Sequence, residues 1–178
     1  MASNNLAMIT FSLTIFSSIV AIAWACNGYS LKINEIKSCG GPDQIITLSD
    51  DFTVWMDDDC NIITKGCAKV KAFKTAVGKY KAVKAPLPPF AGEIDLCEAV
   101  VQYADLVDPF FELLALPKRC PVDDMDYCLD GTKKVSIAKY KKKLSMAAGK
   151  IDVQLNVTHD TGVSCTHVNL EIIRPKKG

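Results

Sequence analysis

The chain has 178 residues, of which 49% are hydrophobic and 23% charged, and its formal net charge is +1. This apolar fraction excludes a disordered tail, and the balanced charge excludes a strongly basic nucleic-acid-binding protein. A chain of this length is expected to form one folded domain.

The first 25 residues are typical of a secretory signal peptide. Residues 6–25 are apolar and end in the small-x-small pattern Ala23-Trp24-Ala25. We expect cleavage after Ala25, which leaves residues 26–178 as the mature domain. The expected location is extracellular, with the endolysosomal lumen as a second compartment on the same route. The alternative is an uncleaved membrane anchor, because the stretch is just long enough to span a bilayer.

The cysteines indicate the compartment independently. All eight follow the predicted cleavage site, and no two form a C-x-x-C pair; they are Cys26, Cys39, Cys60, Cys67, Cys97, Cys120, Cys128 and Cys165. An even number of dispersed cysteines in a secreted chain predicts disulfides rather than a zinc or redox site. The sequon Asn156-Val157-Thr158 predicts glycosylation of Asn156 in that context.

Apolar and polar residues alternate along much of the chain. Tyr29, Leu31 and Ile33 alternate with polar residues in a first predicted strand. Further strand-like runs cover residues 45–48, 52–56, 68–73 and 80–83, and a predicted hairpin pairs residues 151–157 with 168–172 around the loop 158–162. The hairpin's alternation places Asn156 on its polar face. The sequence therefore predicts a mainly β protein, an antiparallel β-sandwich.

One segment has helical spacing. Leu96, Val100, Tyr103 and Val107 recur at intervals of three and four, which predicts a short amphipathic helix that Pro109 should end or kink. The apolar stretch 110–117 follows it and is too short to cross a membrane. It is interpreted either as core or as the apolar rim of a cavity.

The candidate catalytic motifs are weak. Asp160-Thr161-Gly162 is the triplet of aspartic proteases, but the chain has one copy where the mechanism needs two carboxylates, and an ordinary turn is favoured. The two histidines, His159 and His167, accompany no nucleophile elbow and no zinc-protease motif. The sequence therefore predicts a protein without enzymatic activity and without a cofactor.

Three charged groups have plainer interpretations than ligand binding. Residues 57–59 and 123–126 are rich in aspartate but lack the spacing of an EF-hand, so they are interpreted as turns rather than as metal sites. The lysine-rich stretch 133–143 could attract anionic lipid headgroups in a transient membrane contact, although a solvated edge is favoured. Arginine is scarce, which argues against a nucleic-acid partner.

These features favour binding over catalysis. If the two sheets stand apart, the apolar space between them suits lipid tails. The residues expected around that cavity are Phe52, Val54, Met56, Phe73, Val100, Tyr103, Val107, Phe110, Phe111, Leu114, Ile151, Val153 and Leu155. The alternative is a disulfide-linked extracellular module that binds another protein and holds no lipid.

Three segments carry a resemblance to a known family. They are Ile94-Asp95-Leu96-Cys97-Glu98-Ala99-Val100, Leu116-Pro117-Lys118-Arg119-Cys120-Pro121-Val122 with the later Tyr127, and Gly162-Val163-Ser164-Cys165-Thr166-His167-Val168. Together they resemble the ganglioside GM2 activator family of the lipid-recognition β-cup superfamily, and its secreted invertebrate members most. The resemblance implies a β-cup and a non-enzymatic protein that extracts, carries or presents a fatty acyl, glycolipid or sterol-like ligand.

The resemblance also implies two disulfides, Cys39 to Cys165 and Cys97 to Cys120. Two closely spaced cysteine pairs of the family are missing here, so its ganglioside specificity is not implied. The remaining cysteines, Cys26, Cys60, Cys67 and Cys128, allow three pairings. Our preference among them is Cys60 to Cys67 and Cys26 to Cys128.

Overall fold

The structure is a computed structural model that describes residues 25–174. The predicted signal peptide lies outside these residues, apart from its last position. Within the described range, no helix is both long enough and apolar enough to cross a membrane. Two antiparallel sheets make up most of the fold, which confirms the predicted mainly β class.

The first sheet contains the two ends of the described chain. Its five strands follow the order β1-β9-β8-β5-β6. They are β1 (Ser30–Ser38), β5 (Ala76–Lys84), β6 (Phe90–Asp95), β8 (Gly149–His159) and β9 (Gly162–Ile173). The predicted hairpin is the β8–β9 pair, whose register runs from Gly149 opposite Ile172 to His159 opposite Gly162. Asn156 is exposed on β8, as its place in the alternation predicts.

The second sheet is built around one long strand. The strands are β2 (Ile46–Leu48), β3 (Thr53–Met56), β4 (Asn61–Val70) and β7 (Met125–Ser136). Short β2 and β3 pair with opposite halves of β4. β7 pairs with most of β4, with a register shift between Ile63 and Lys65. The sequence does not predict β6 or β7, and it predicts only the last part of β4.

The buried interior lies in two separate clusters. The hairpin-end cluster joins both sheets near the β8–β9 turn and consists of Ile45, Val70, Phe73, Ala76, Val122 and Val157. The amino-terminal cluster, at the other end of β8 and β9, consists of Cys26, Cys60 and Leu144. Between them, the inward positions Ile151, Val153 and Leu155 of β8 are only half-buried. Inward and outward residues therefore alternate along β8, but its inward face is fully buried only near the β8–β9 turn.

The prediction of one continuous helix is wrong, because two helices cover this segment. The helices are α1 (Leu96–Gln102), α2 (Ala104–Leu113) and α3 (Leu144–Ala147), with 3₁₀ turns at Ala25–Gly28 and Ala138–Lys143. The break falls at Tyr103, and Pro109 lies inside α2 instead of ending it. The amide of Tyr103 still donates to the Ala99 carbonyl (2.9 Å), while its own carbonyl accepts from Val107 (3.1 Å). Tyr103 thus ends one helix and begins the next.

Four disulfides join the elements. Cys39 bonds to Cys165 and Cys97 to Cys120, the two pairings that the family resemblance implies. The other two bonds are Cys26–Cys60 and Cys67–Cys128.

Our preferred pairing of the other four cysteines is wrong. Cys60 immediately precedes β4 and Cys67 lies within it. Seven residues of extended strand separate them by roughly 23 Å, far beyond the reach of a disulfide. Cys67 instead faces Cys128 across the β4–β7 ladder.

Candidate functional site

An apolar cavity of about 130 Å³, open to solvent on one side, lies at the hairpin end, between the sheets and helices α1 and α2. Its lining is almost entirely hydrophobic. The lining residues are Ile46, Val70, Phe73, Ala76, Leu96, Cys97, Val100, Phe111, Leu116, Pro117, Arg119, Cys120, Val122 and His159. Ligand pockets in proteins combine apolar walls with a few polar groups, and this cavity has such a lining, although it is smaller than the roughly 300–1,000 Å³ of a typical pocket.

The lining residues change from buried to exposed along the cavity. Val70, Phe73, Ala76, Val122 and His159 are buried and form its floor. The helical and loop residues of the wall are half-buried, and Arg119 is exposed at the mouth. A molecule in the cavity would therefore meet hydrocarbon over most of its surface, a guanidinium near solvent and an imidazole at depth.

Local structure holds the floor in place. Phe73 and Val122 exchange two backbone hydrogen bonds, of 3.0 and 2.8 Å, which tie the segment after β4 to the segment before β7. Both side chains are buried. Because each residue lies outside a regular strand, this pair continues the β4–β7 alignment beneath the cavity, together with the hydrogen bond from the Ala72 amide to Asp124.

The wall depends on a helix cap and a disulfide. Asp95 ends β6, and its side chain accepts a hydrogen bond from the amide of Glu98 (3.0 Å), so the chain turns at once into α1. Asp and Asn are favoured at this position because the carboxylate satisfies an amide that has no partner within the helix. The Cys97–Cys120 bond then joins α1 to the segment after α2.

His159 is the polar group of the floor. Only 6% of the residue is exposed, and its ring lies against Phe73 with centroids 4.4 Å apart. Its Nε2 is 2.8 Å from the Ser164 hydroxyl oxygen, which also accepts the amide of Ile46 (3.1 Å). Burial lowers the pKa of His159, which favours the neutral ring. Its Nδ1 is buried and has no hydrogen-bond partner in the described part of the chain.

Three of the predicted cavity residues line this cavity: Phe73, Val100 and Phe111. The other ten lie elsewhere. Phe52 is buried against the backbone of Gly66, and Met56 packs on the amino-terminal cluster. Tyr103 is exposed between the helices. The half-buried remainder comprises Val54 on β3, Val107 and Phe110 in α2, Leu114 just after it, and Ile151, Val153 and Leu155 on β8.

The sequence analysis missed most of the lining because two signals were not used together. Leu96 has the same helical spacing as Val100, so the face of α1 already included it. Leu116, Pro117, Arg119 and Cys120 belong to the segment that carries the family resemblance. Val122 ends the same segment, whereas His159 has no such signal, because it reaches the cavity only through tertiary pairing.

The Asp160-Thr161-Gly162 triplet is a structural turn. Asp160 Oδ1 accepts the amides of Lys74 (2.8 Å) and Thr75 (3.2 Å), and the Thr161 hydroxyl donates to the Ala72 carbonyl (2.9 Å). The two amides hold the pKa of Asp160 below its ordinary value. An aspartic protease needs one of its paired carboxyls protonated, whereas this carboxylate is stabilised in its charged form.

The other acidic groups also have structural partners. Asp57 accepts hydrogen bonds from Asn61 and pairs with Lys134 at 2.8 Å. Asp126 pairs with Lys69, and Asp124 accepts the amide of Ala72. Among residues 25–174, no group of three or more potential ligands is arranged to hold a metal ion.

His167, the second histidine, belongs to a different surface. Its two ring nitrogens lie 2.8 Å from Glu35 Oε2 and 3.0 Å from Asp152 Oδ2, on the outer face of the first sheet. Asn169 donates to the same Asp152 oxygen at 2.7 Å. This network cross-links β1, β8 and β9 and does not border the cavity.

The fold and cavity define a disulfide-linked antiparallel β protein with an apolar cavity. No family model matches the chain. It is 30% identical over 156 residues to "Sporozoite-associated mosquito saliva protein 1" of Anopheles gambiae, and the alignment covers 86% of each sequence. The chain belongs to the family of that saliva protein.

A structural likeness is much more distant. The crystal structure of chicken MD-1 complexed with lipid IVa matches with a TM-score of 0.35 and 10% sequence identity, over 78% of this chain and 97% of that one. The predicted membership in the GM2 activator family stays a prediction.

Proposed function

We propose that this protein is a secreted, non-enzymatic carrier that binds one lipid or lipid-like molecule in the cavity at its hairpin end. The observation that carries the proposal is the lining itself: a cavity of about 130 Å³, open to solvent, whose polar side chains are limited to His159 and Arg119. Burial of a hydrocarbon chain there is favourable by about 0.8 kcal/mol per methylene.

The route of secretion is supported by several features together. The relative in Anopheles gambiae is a saliva protein by name, and four disulfides are typical of oxidising compartments. The proposal includes removal of residues 1–25, and glycosylation of the exposed Asn156. A transient contact with a membrane surface would let the ligand enter, and the lysines of the stretch 133–143 are the groups that anionic headgroups would attract.

The proposal is tested by blocking the cavity from one helix. Val100 lines the cavity, whereas its neighbour Val101 is 65% exposed on the other side of α1. We expect Val100→Trp to weaken binding of the apolar dye N-phenylnaphthylamine by at least about tenfold, because the indole fills the site. The matched Val101→Trp variant adds the same side chain outside the cavity and should bind as the wild type does.

An external dye is needed because Trp55 packs near Gly131 on the second sheet and does not line the cavity. Mass spectrometry of protein purified from a eukaryotic secretion system should also detect a co-purified lipid. Absence of both dye binding and bound lipid would refute the carrier and favour the protein-binding module. Equal binding by the two folded tryptophan variants would place the site elsewhere.

A further inference from the structure

We infer that the ligand is a single-chain amphiphile whose carboxylate head group binds Arg119 at the mouth of the cavity, while a short hydrocarbon tail fills the apolar interior. The inference rests on the proposed function and specifies the chemistry of its ligand. It starts from Arg119 because this residue carries a permanent charge, borders the cavity and reaches solvent.

Arg119 lies where the cavity meets solvent. The residue is exposed, yet it forms part of a wall that is apolar throughout. An apolar wall at this position consists of the methylene stem of the arginine, so its guanidinium lies in solvent beside the mouth. The next residue, Cys120, is bonded to Cys97 of the opposite part of the wall, which fixes the backbone that carries Arg119. A head group that stays outside the cavity would therefore meet the guanidinium.

The carboxylates of helix α2 do not neutralise this guanidinium. Asp108 and Glu112 both pair with Lys118, the residue before Arg119, at 3.2 and 2.6 Å. Within residues 25–174, the Arg119 side chain itself makes no hydrogen bond and no ion pair. The mouth of the cavity therefore has a positive charge without a protein partner, and this favours a ligand with an anionic head group.

A carboxylate matches a single guanidinium best. The N–H groups of arginine form a planar fork that donates to both oxygens of one carboxylate. A phosphate monoester carries a charge of about −1.5 to −2 and so calls for a second cation. The described part of the lining supplies none, because burial lowers the pKa of His159 and favours its neutral ring.

The volume of the cavity limits the length of the tail. The cavity measures about 130 Å³, and an engineered apolar cavity of about 150 Å³ binds benzene. By that comparison the space holds about six carbon atoms. Because the cavity is open on one side, a chain can enter from the mouth and leave its head group in solvent. A carboxylate of about eight carbons therefore fits, and further methylenes would remain in water.

Two eight-carbon probes with different head groups test the inference. Octanoate and octan-1-ol are titrated against protein loaded with N-phenylnaphthylamine. We expect octanoate to displace the dye with about tenfold higher affinity than octanol, because only the carboxylate makes charge-assisted hydrogen bonds with Arg119. In Arg119→Met this preference should disappear while octanol binds as before, since methionine keeps an apolar stem in the wall. Arg119→Lys should retain about a threefold preference, because an ammonium has the charge but not the planar fork.

A lysine remote from the cavity supplies the matched control. Lys150 is exposed at the start of β8, near the amino-terminal cluster, and does not line the cavity. Lys150→Met removes the same charge from the protein, so the ratio of octanoate to octanol affinity should stay at the wild-type value. An unchanged ratio in Arg119→Met, or equal affinities in the wild type, would overturn the inference and leave the carrier proposal intact.

Two further outcomes have separate meanings. A tenfold higher affinity for octyl phosphate than for octanoate would overturn the assignment of a carboxylate head group. Failure of both octanoate and octanol to displace the dye from a folded protein would count against the carrier itself.

The limit on tail length is measured on the wild-type protein with hexanoate, octanoate and dodecanoate. We expect the affinity to rise about fourfold per methylene from hexanoate to octanoate, and to stay level from octanoate to dodecanoate because the cavity is then full. A constant gain per methylene up to dodecanoate would overturn the placement of the tail in this cavity.

Discussion

The two ends of the sandwich are closed in different ways. At the amino-terminal end, a disulfide joins Cys26 to Cys60, and Leu144 completes a small buried cluster. At the hairpin end, larger apolar residues surround a cavity, and the buried His159 Nδ1 has no hydrogen-bond partner among residues 25–174. Each end has a disulfide, Cys26–Cys60 and Cys97–Cys120, but the second of these lies in the wall of the cavity and the first lies away from it. Stability and binding are therefore expected to respond to different substitutions.

The largest expected effect comes from removing one disulfide at each end. Replacing both cysteines of the Cys26–Cys60 bond by alanine should lower the free energy of unfolding by about 3–4 kcal/mol, measured in urea, because a loop of 34 residues is no longer closed. Dye affinity should stay close to wild type, since this bond is remote from the cavity.

The matched variant removes the Cys97–Cys120 bond, whose separation of 23 residues predicts a similar loss of stability. Here the dye affinity should fall as well, because both cysteines line the cavity wall. If the two variants weaken dye binding equally, the proposed difference between the two ends is wrong.

A smaller effect is expected from the charge of Asp57 near the amino-terminal end. Its carboxylate accepts from the amides of Asp59 (3.0 Å) and Asn61 (2.9 Å) and pairs with Lys134. Asp57→Asn keeps the shape but removes the charge, and we expect a loss of about 1 kcal/mol in the free energy of unfolding at neutral pH. The dye affinity should not change.

The difference in stability between the wild type and Asp57→Asn should depend on pH. The hydrogen bonds from Lys134 and Asn61 hold the pKa of Asp57 far below its ordinary value of 3.8. The folded state therefore binds fewer protons than the unfolded state in acid, so the advantage over Asp57→Asn is complete above about pH 5 and is lost as the pH falls towards the folded pKa. A stability difference that stayed constant from neutral pH down to pH 2 would rule out this role.

The smallest effect is expected from the exposed ion pairs of Lys118 at the hairpin end. Lys118 pairs with Asp108 (3.2 Å) and Glu112 (2.6 Å), but these side chains are substantially exposed. Exposed ion pairs contribute little because water and salt screen them. Lys118→Met should therefore leave the unfolding midpoint and the dye affinity within experimental error. A clear loss of dye binding would instead assign this lysine a part in holding α2 over the cavity.

The strands that the sequence predicts are those with an unbroken alternation. β8 alternates from Ile151 to Val157, and burial on its inward side follows the pattern. β6 is short and has Gly92 where an inward side chain would stand, because the Tyr80 hydroxyl would lie 2.5 Å from a Cβ there. β7 contains Gly131 at φ 85° and a register shift opposite β4, which interrupts its period. Pairing, rather than local pattern, forms these two strands.

The sequence predicted an apolar cavity but did not predict where it lies. The alternation and helical spacing correctly indicated apolar faces, and Phe73, Val100 and Phe111 do line the cavity. His159 was interpreted only beside the turn that follows it. Its burial depends on Phe73 and Ser164, which approach it from other segments, and no spacing along the chain reports such contacts.

The Cys39–Cys165 bond spans 126 residues of sequence and connects the end of β1 to β9. A protease that cut the backbone once between these two cysteines would leave one cysteine in each fragment, with the sulfur bond still joining them. The molecule is thus protected against losing a piece to a single cleavage.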